Sequence, residues 1–296
     1  MTEQQIFERY SEIEKKIHPI VTFLEDNKDD KRLKGLYKGI ITMQSPLVYQ
    51  PEILFLGINP GDGAYIASNK GNKNNIKTPL RMIGKNEESY KELNWYEEGN
   101  ARGFYKDKWH AYKWYQRDKR VNNSFPKRMI DLLYETAALK YPEMYEANKY
   151  SNTEEPFWFQ SFGQSIMYSN LYPIATTNIS DLYKILRLLA KEKQLKGMWD
   201  TSKTPNNWNV RLFFLRIVAQ LVNLVDPKII VCLGQSAFND FTFSTNRGQK
   251  IYRGEKNKFP VLGFSRKGNW EGLIPEIAKE IAITLKESEK RADFMG

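Results

Sequence analysis

Apolar and polar positions alternate along the chain in two different periods. Four short segments are dominated by apolar residues: Ile53–Ile58, Ser165–Ile174, Lys228–Gly234 and Phe259–Phe264. Their length and flanking Gly and Pro residues predict strands, and runs this apolar predict burial on both faces. Around them apolar residues recur at helical spacing. Residues 2–25 predict a helix carrying Ile6, Tyr10, Ile13 and Ile17 on one side, and a shorter segment follows around Leu33–Ile41. Further helices are predicted at 127–140, Asp181–Lys196, Asn206–Leu224, Ser236–Phe241 and Trp270–Glu289, whereas Tyr141–Glu155 is polar and reads as irregular. Strands that alternate with helices imply an α/β fold, here a three-layer α/β/α sandwich with a mostly parallel central four-stranded sheet. A single domain over 1–296 is expected, with an N-terminal helical segment at 1–45 and an insertion at 90–128.

The first apolar run ends in an abrupt polar turn, Gly57-Ile58-Asn59-Pro60-Gly61-Asp62-Gly63. Ligands of open α/β sheets bind just beyond the carboxyl ends of such strands. Asn59 therefore stands where a working residue is expected. Asn-Pro-Gly is also strong turn chemistry, and a purely structural role for Asn59 is the competing reading.

Charge changes this picture. The chain has 296 residues, a formal net charge of +10 and 14% aromatic residues. Lys and Arg displace counterions from phosphates and aromatic rings stack on bases, so the balance fits nucleic-acid binding, with a basic soluble protein lacking any specific anionic partner as the competing reading. The insertion at 90–128 concentrates both types, interleaving Trp95, Tyr96, Phe104, Trp109 and Trp114 with Lys106, Lys108, Arg117 and Arg120; it reads equally as a nucleic-acid contact or as a helical insertion whose rings pack on the body with its cations solvated. Cysteine usage is minimal: the single Cys232 excludes an internal disulfide and fits a reducing, cytoplasmic compartment. With one Cys and two His the chain is poor in soft ligands, and no metal site is expected. No signal-peptide pattern is present and no apolar stretch reaches membrane-spanning length, so no membrane partner is expected.

Four segments, in order, resemble motifs of the uracil-DNA glycosylase superfamily. Leu56-Gly57-Ile58-Asn59-Pro60-Gly61 is similar to the water-activating motif of its mismatch-specific and single-strand-selective branches. Asn170-Leu171-Tyr172-Pro173 resembles the Asn-x-x-Pro strand end that reads the pyrimidine. Ile229–Ala237 resembles the family's apolar strand ending in Leu-Gly before a helix of small residues. Gly263-Phe264-Ser265-Arg266-Lys267-Gly268-Asn269-Trp270 occupies the place of the DNA-intercalating loop. Together they span about residues 50–285.

The resemblance implies a hydrolase of N-glycosidic bonds that flips a damaged or deaminated base, uracil-like pyrimidines first, out of DNA. It implies Asn59 as the catalytic residue. Gly57, Ile58, Pro60, Tyr65, Leu80 and Asn170 would surround the base, and Ser265, Arg266, Lys267 and Asn269 would contact the DNA. No cofactor or metal is implied. The DNA is single- or double-stranded, and a monomer is the default. The residue types suit the chemistry. A carboxamide positions water but is no base at neutral pH, while Asn170 offers the donor and acceptor that match a pyrimidine edge. The chain departs from many family members at Gly263, where a His would donate to the leaving base. Two other functions remain open from the sequence: a catalytically silent nucleic-acid binder on the same fold, and an unrelated α/β enzyme for a small ligand.

Overall fold

The computed structural model describes residues 1–43, 45, 47–60, 81–82, 124–148, 162, 165–199, 206–245, 248–266 and 270–295. In chain order its elements are α1 (Glu3–Lys15), α2 (His18–Asp26), β1 (Gly39–Met43), β2 (Ile53–Gly57) and β3 (Arg81–Met82). They continue with α3 (Ser124–Lys140), α4 (Pro142–Asn148), β4 (Ile166–Asn170), β5 (Ile174–Ala175), α5 (Ile179–Lys191) and α6 (Asn207–Val225). The last are β6 (Ile229–Cys232), α7 (Gln235–Thr242), β7 (Ile251–Lys256), β8 (Phe259–Phe264) and α8 (Ile274–Met295). Short 3₁₀ turns at Lys193–Met198 and Trp270–Leu273 follow α5 and precede α8. The chain divides into two compact units, each assembled from several stretches.

The first unit takes Met1–Tyr49, Gly57–Ala111 and Tyr168–Val225. Thr2 opens α1 with a capping box, its side chain accepting from the Gln5 amide while the Gln5 side chain accepts from the Thr2 amide. The single helix expected over 2–25 is two, because Pro19 lacks a donor and fits only a first helical turn. Beyond its two helices the N-terminal segment also carries a strand. Gly39–Met43 is strand β1, antiparallel to β5 (Ile40 opposite Ile174), to β3 (Ile41 opposite Met82) and to β4 (Met43 opposite Ser169). Two adjacent β-branched isoleucines favour the extended form once such partners exist.

Helix α6 is apolar over most of its length. Among the described residues it is one helix long and apolar enough, by length and composition, to cross a membrane. Here Val210, Phe214, Val218, Leu221 and Val225 are buried, and the helix packs against α1 and α5. Its apolar residues serve this unit's core.

The second unit takes Gln50–Leu56, Tyr112–Met167 and Asp226–Gly296. Its strands β2, β6 and β8 are parallel, in register from Ile53 opposite Ile229 to Leu56 opposite Cys232, and from Ile230 opposite Val261 to Cys232 opposite Gly263. Ile53, Leu54, Leu56, Ile229, Ile230 and Val231 are fully buried. Each contributes about 1.5–3 kcal/mol by leaving water, which makes this the stable centre of the unit. β7 pairs antiparallel with β8 as a hairpin. α3 lies against α8, and α7 packs on β7 and β8.

The protein is thus mixed α/β, with parallel strands in the second unit and antiparallel pairings in both. All four expected strands exist, but the strands are not limited to four: β1 pairs with β3, β4 and β5 in the first unit, and β7 with β8 in the second. The region expected to be irregular after Tyr141 includes helix α4, which the Pro at its first position pre-sets.

Candidate active site

In the first unit the turn Gly57–Pro60 follows the apolar run Ile53–Leu56, and a second strand end meets it. The Leu171 N–H donates to the Gly57 carbonyl at 2.8 Å and the Tyr172 N–H to the Ile58 carbonyl at 3.0 Å. The Thr176 N–H donates to the Pro60 carbonyl at 3.2 Å. The two motifs singled out in the sequence, Gly57–Pro60 and Asn170–Pro173, are therefore neighbours. They are zipped together by backbone hydrogen bonds although more than a hundred residues separate them.

Asn59 is half-buried and its carboxamide has a defined polarity. Nδ2 donates to the Thr176 Oγ1 at 2.9 Å, the Pro60 carbonyl at 3.1 Å and the Ile174 carbonyl at 3.2 Å. Two of these three partners are carbonyls, which only accept, so the reversed amide would set oxygen against oxygen. Among the described residues none donates to Oδ1. One edge of the amide holds the turn to β5, and the other presents an acceptor.

Asn170 is buried, only 3% exposed. Its carboxamide lies against the backbone of Gly57: a Cβ built there would collide with Asn170 Oδ1 and stand 3.2 Å from the Tyr168 hydroxyl. Gly57 is thus glycine because the Asn170 amide occupies the volume of its side chain. Tyr168 and Asn170, two apart on β4, share one face. Behind the motif Tyr172 is fully buried, its hydroxyl accepting from Arg211 Nε at 3.1 Å and its ring edge-on to Phe214. That anchor fixes the strand end after Asn170.

The segments expected to meet DNA end in the second unit. A Cβ at Gly263 would lie 2.7–2.9 Å from the Phe238 side chain, and Phe238 is itself stacked on Tyr252. The position that holds a His in many members of the resembled family is sealed here by a phenyl ring. The Ser265 N–H donates to the Lys250 carbonyl at 2.8 Å. Ser265 lines an open groove of about 500 Å³ with Gln235, Gln249, Lys250 and Tyr252. The Arg266 stem crosses Gly234, 3.6 Å from where a Cβ would sit. Gly234 caps α7 at φ +123°, a conformation that favours glycine. Cys232 is fully buried, and burial pushes its thiol up, which makes it an inert core residue.

Tyr65, Leu80, Lys267, Asn269 and all of 90–123 lie outside the described residues. Among the described residues no group of three or more His, Cys, Asp or Glu could hold a metal. Sequence reasoning missed Tyr168, Thr176 and Asn178. Thr176 Oγ1 accepts from Asn59 and donates to the Asn178 carbonyl at 2.8 Å. Asn178 caps α5 by accepting from the Asp181 N–H at 3.0 Å. The signal was present in Thr176-Thr177-Asn178-Ile179-Ser180-Asp181, an N-cap sequence directly after a strand. No protein-family model matches the chain, and no curated protein gives a significant match.

Proposed function

We propose that the protein is a DNA glycosylase that hydrolyses the N-glycosidic bond of a flipped, damaged or deaminated pyrimidine, within a three-layer sandwich like that of the uracil-DNA glycosylase superfamily. Asn59 Oδ1 accepts a hydrogen bond from the attacking water and aims its oxygen at C1′ of the sugar. The C1′–N bond breaks with its electron pair leaving on the base, the C1′–O bond forms, and the water's proton passes to solvent or to the departing base. Asn170 reads the pyrimidine edge, and Ser265 and Arg266 contact the DNA backbone. The observation that carries this reading is the pair of strand ends themselves. One buried carboxamide is seated on a glycine, and beside it a second carboxamide has its donors committed and its acceptor edge presented.

A second reading draws on the same hydrogen bonds. The three Asn59 contacts also staple the turn to β5, which is all a catalytically silent DNA binder needs. Oligonucleotides carrying uracil, hypoxanthine or a mismatch, single- and double-stranded, followed by alkaline cleavage of abasic sites, separate the two. Strand cleavage at one modified base supports the glycosylase. Salt-dependent binding with no abasic product at any of them supports the binder.

A further inference from the structure

We infer that Thr176 is a positioning residue for Asn59, holding its carboxamide in the one place from which Oδ1 meets the attacking water; the inference rests on the glycosylase reading above. A threonine hydroxyl both donates and accepts, so its orientation decides what it asks of a neighbour. The Thr176 hydroxyl spends its proton on the Asn178 carbonyl at 2.8 Å. Its oxygen is left to accept from Asn59 Nδ2 at 2.9 Å, the shortest of that amide's contacts. The direction of the whole chain is then set from the far end. Asn178 is held in its capping role by its own bonds, Oδ1 accepting from the Asp181 N–H at 3.0 Å and Nδ2 donating to the Asp181 carboxylate at 2.8 Å. Lys184 Nζ holds that carboxylate from the other side at 2.9 Å.

The first turn of α5 therefore propagates an orientation through Asn178 and Thr176 to Asn59. Thr176 is itself buried, 1% exposed, and its N–H donates to the Pro60 carbonyl, so backbone and side chain grip the same turn. The two carbonyls beside Nδ2 exclude the reversed amide but still leave it free to swing between them. The third contact, to Thr176 Oγ1, removes that freedom. An attack geometry that depends on one acceptor atom is sensitive to such freedom.

The test compares Thr176→Val, which keeps the shape and removes the hydroxyl, with Thr176→Ser, which keeps the hydroxyl. Hydrogen exchange of the Asn59 side-chain NH₂ is followed by nuclear magnetic resonance in the full chain. Exchange is expected to accelerate about fivefold to tenfold in the valine variant, the worth of one hydrogen bond, and to stay near wild type in the serine variant. Single-turnover excision should fall by a similar factor in the valine variant at unchanged oligonucleotide affinity, and adding Thr176→Val to Asn59→Ala should change nothing further. Unchanged amide exchange in Thr176→Val, or equal damage from valine and serine, overturns the inference. Accelerated exchange in Thr176→Val, together with no base excised by the wild type, upholds the positioning of Asn59 and overturns the glycosylase reading instead.

Discussion

Two polar clusters, one in each unit, are built in opposite ways. In the second, Lys140 donates to Glu52 at 2.7 Å and to Glu289 at 2.8 Å, while Lys228 reaches the same two carboxylates at 3.1 Å each. Tyr141 adds its hydroxyl to Glu52, and the Lys140 ammonium lies 4.9 Å from the Tyr141 ring. Two cations answer two anions. In the first unit the polar groups at the strand ends are neutral amides, and among the described residues the Asn59 amide is engaged along one edge only. The difference follows from the cost of burial. A buried charge left without its counter-charge costs several kcal/mol, so an ionic cluster must close. A neutral amide tolerates an acceptor edge turned outward, which is what a water-positioning group requires.

The contrast breaks most readily at Asn59. Asn59→Ala should lower excision by about 100- to 1000-fold, the range seen when one preorganised polar group is removed from a catalytic site, measured under single turnover. Lys140→Met should do the reverse: a loss of about 3 kcal/mol in urea unfolding, with the excision rate of the folded protein unchanged. A Lys140 variant as inactive as the Asn59 variant, yet folded, would erase the distinction between a structural and a working cluster.

Gly57→Ala sharpens the comparison at the amide itself. Its Cβ must displace the Asn170 carboxamide, at a cost of about 1–3 kcal/mol by overpacking, and base discrimination should fall more than stability. Calorimetry and excision of uracil against thymine measure the two effects separately.

The smallest effect is that of pH, which should act on the second cluster. Burial, the largest single influence on Lys140 and Lys228, favours their neutral forms, but the carboxylates of Glu289 and Glu52 outweigh it and hold both ammonium groups above the ordinary value. Their contribution is whole below about pH 10.4, the usual lysine value, and lost as pH rises through the raised ones. Glu289 behaves inversely: burial favours the neutral acid, and Lys140 and Lys228 outweigh it and hold the group low. Its contribution is whole above about pH 4.3 and lost as pH falls through the lowered value. The urea midpoint should be flat between these limits and fall at both ends. In Lys140→Met the fall at each end should be shallower.

What the sequence made legible follows the same division. β2, β6 and β8 are readable because their side chains are apolar on both faces, and the unit they build is decided by that burial. β1 and β5 are not readable, because a five-residue and a two-residue strand owe their form to partners far along the chain. The break before Pro19 carried a local signal, and the expectation of one continuous helix overlooked it. Asn59 and Asn170 stood out as polar residues closing apolar runs, and the structure sets their two segments side by side. Thr176 did not stand out, since a threonine after a strand is ordinary until its two hydrogen bonds are known. The collision of Phe238 with any side chain at Gly263 depends on a helix packing across two strands, which no local pattern encodes.

The most direct measurement of the central claim is a single-turnover assay on a uracil-containing oligonucleotide, run with wild type and Asn59→Ala at matched binding by fluorescence anisotropy. The account predicts abasic product from the wild type, at least a hundredfold less from the variant, and closely similar affinities. Equal product from both proteins, or tight binding by both with product from neither, would contradict it.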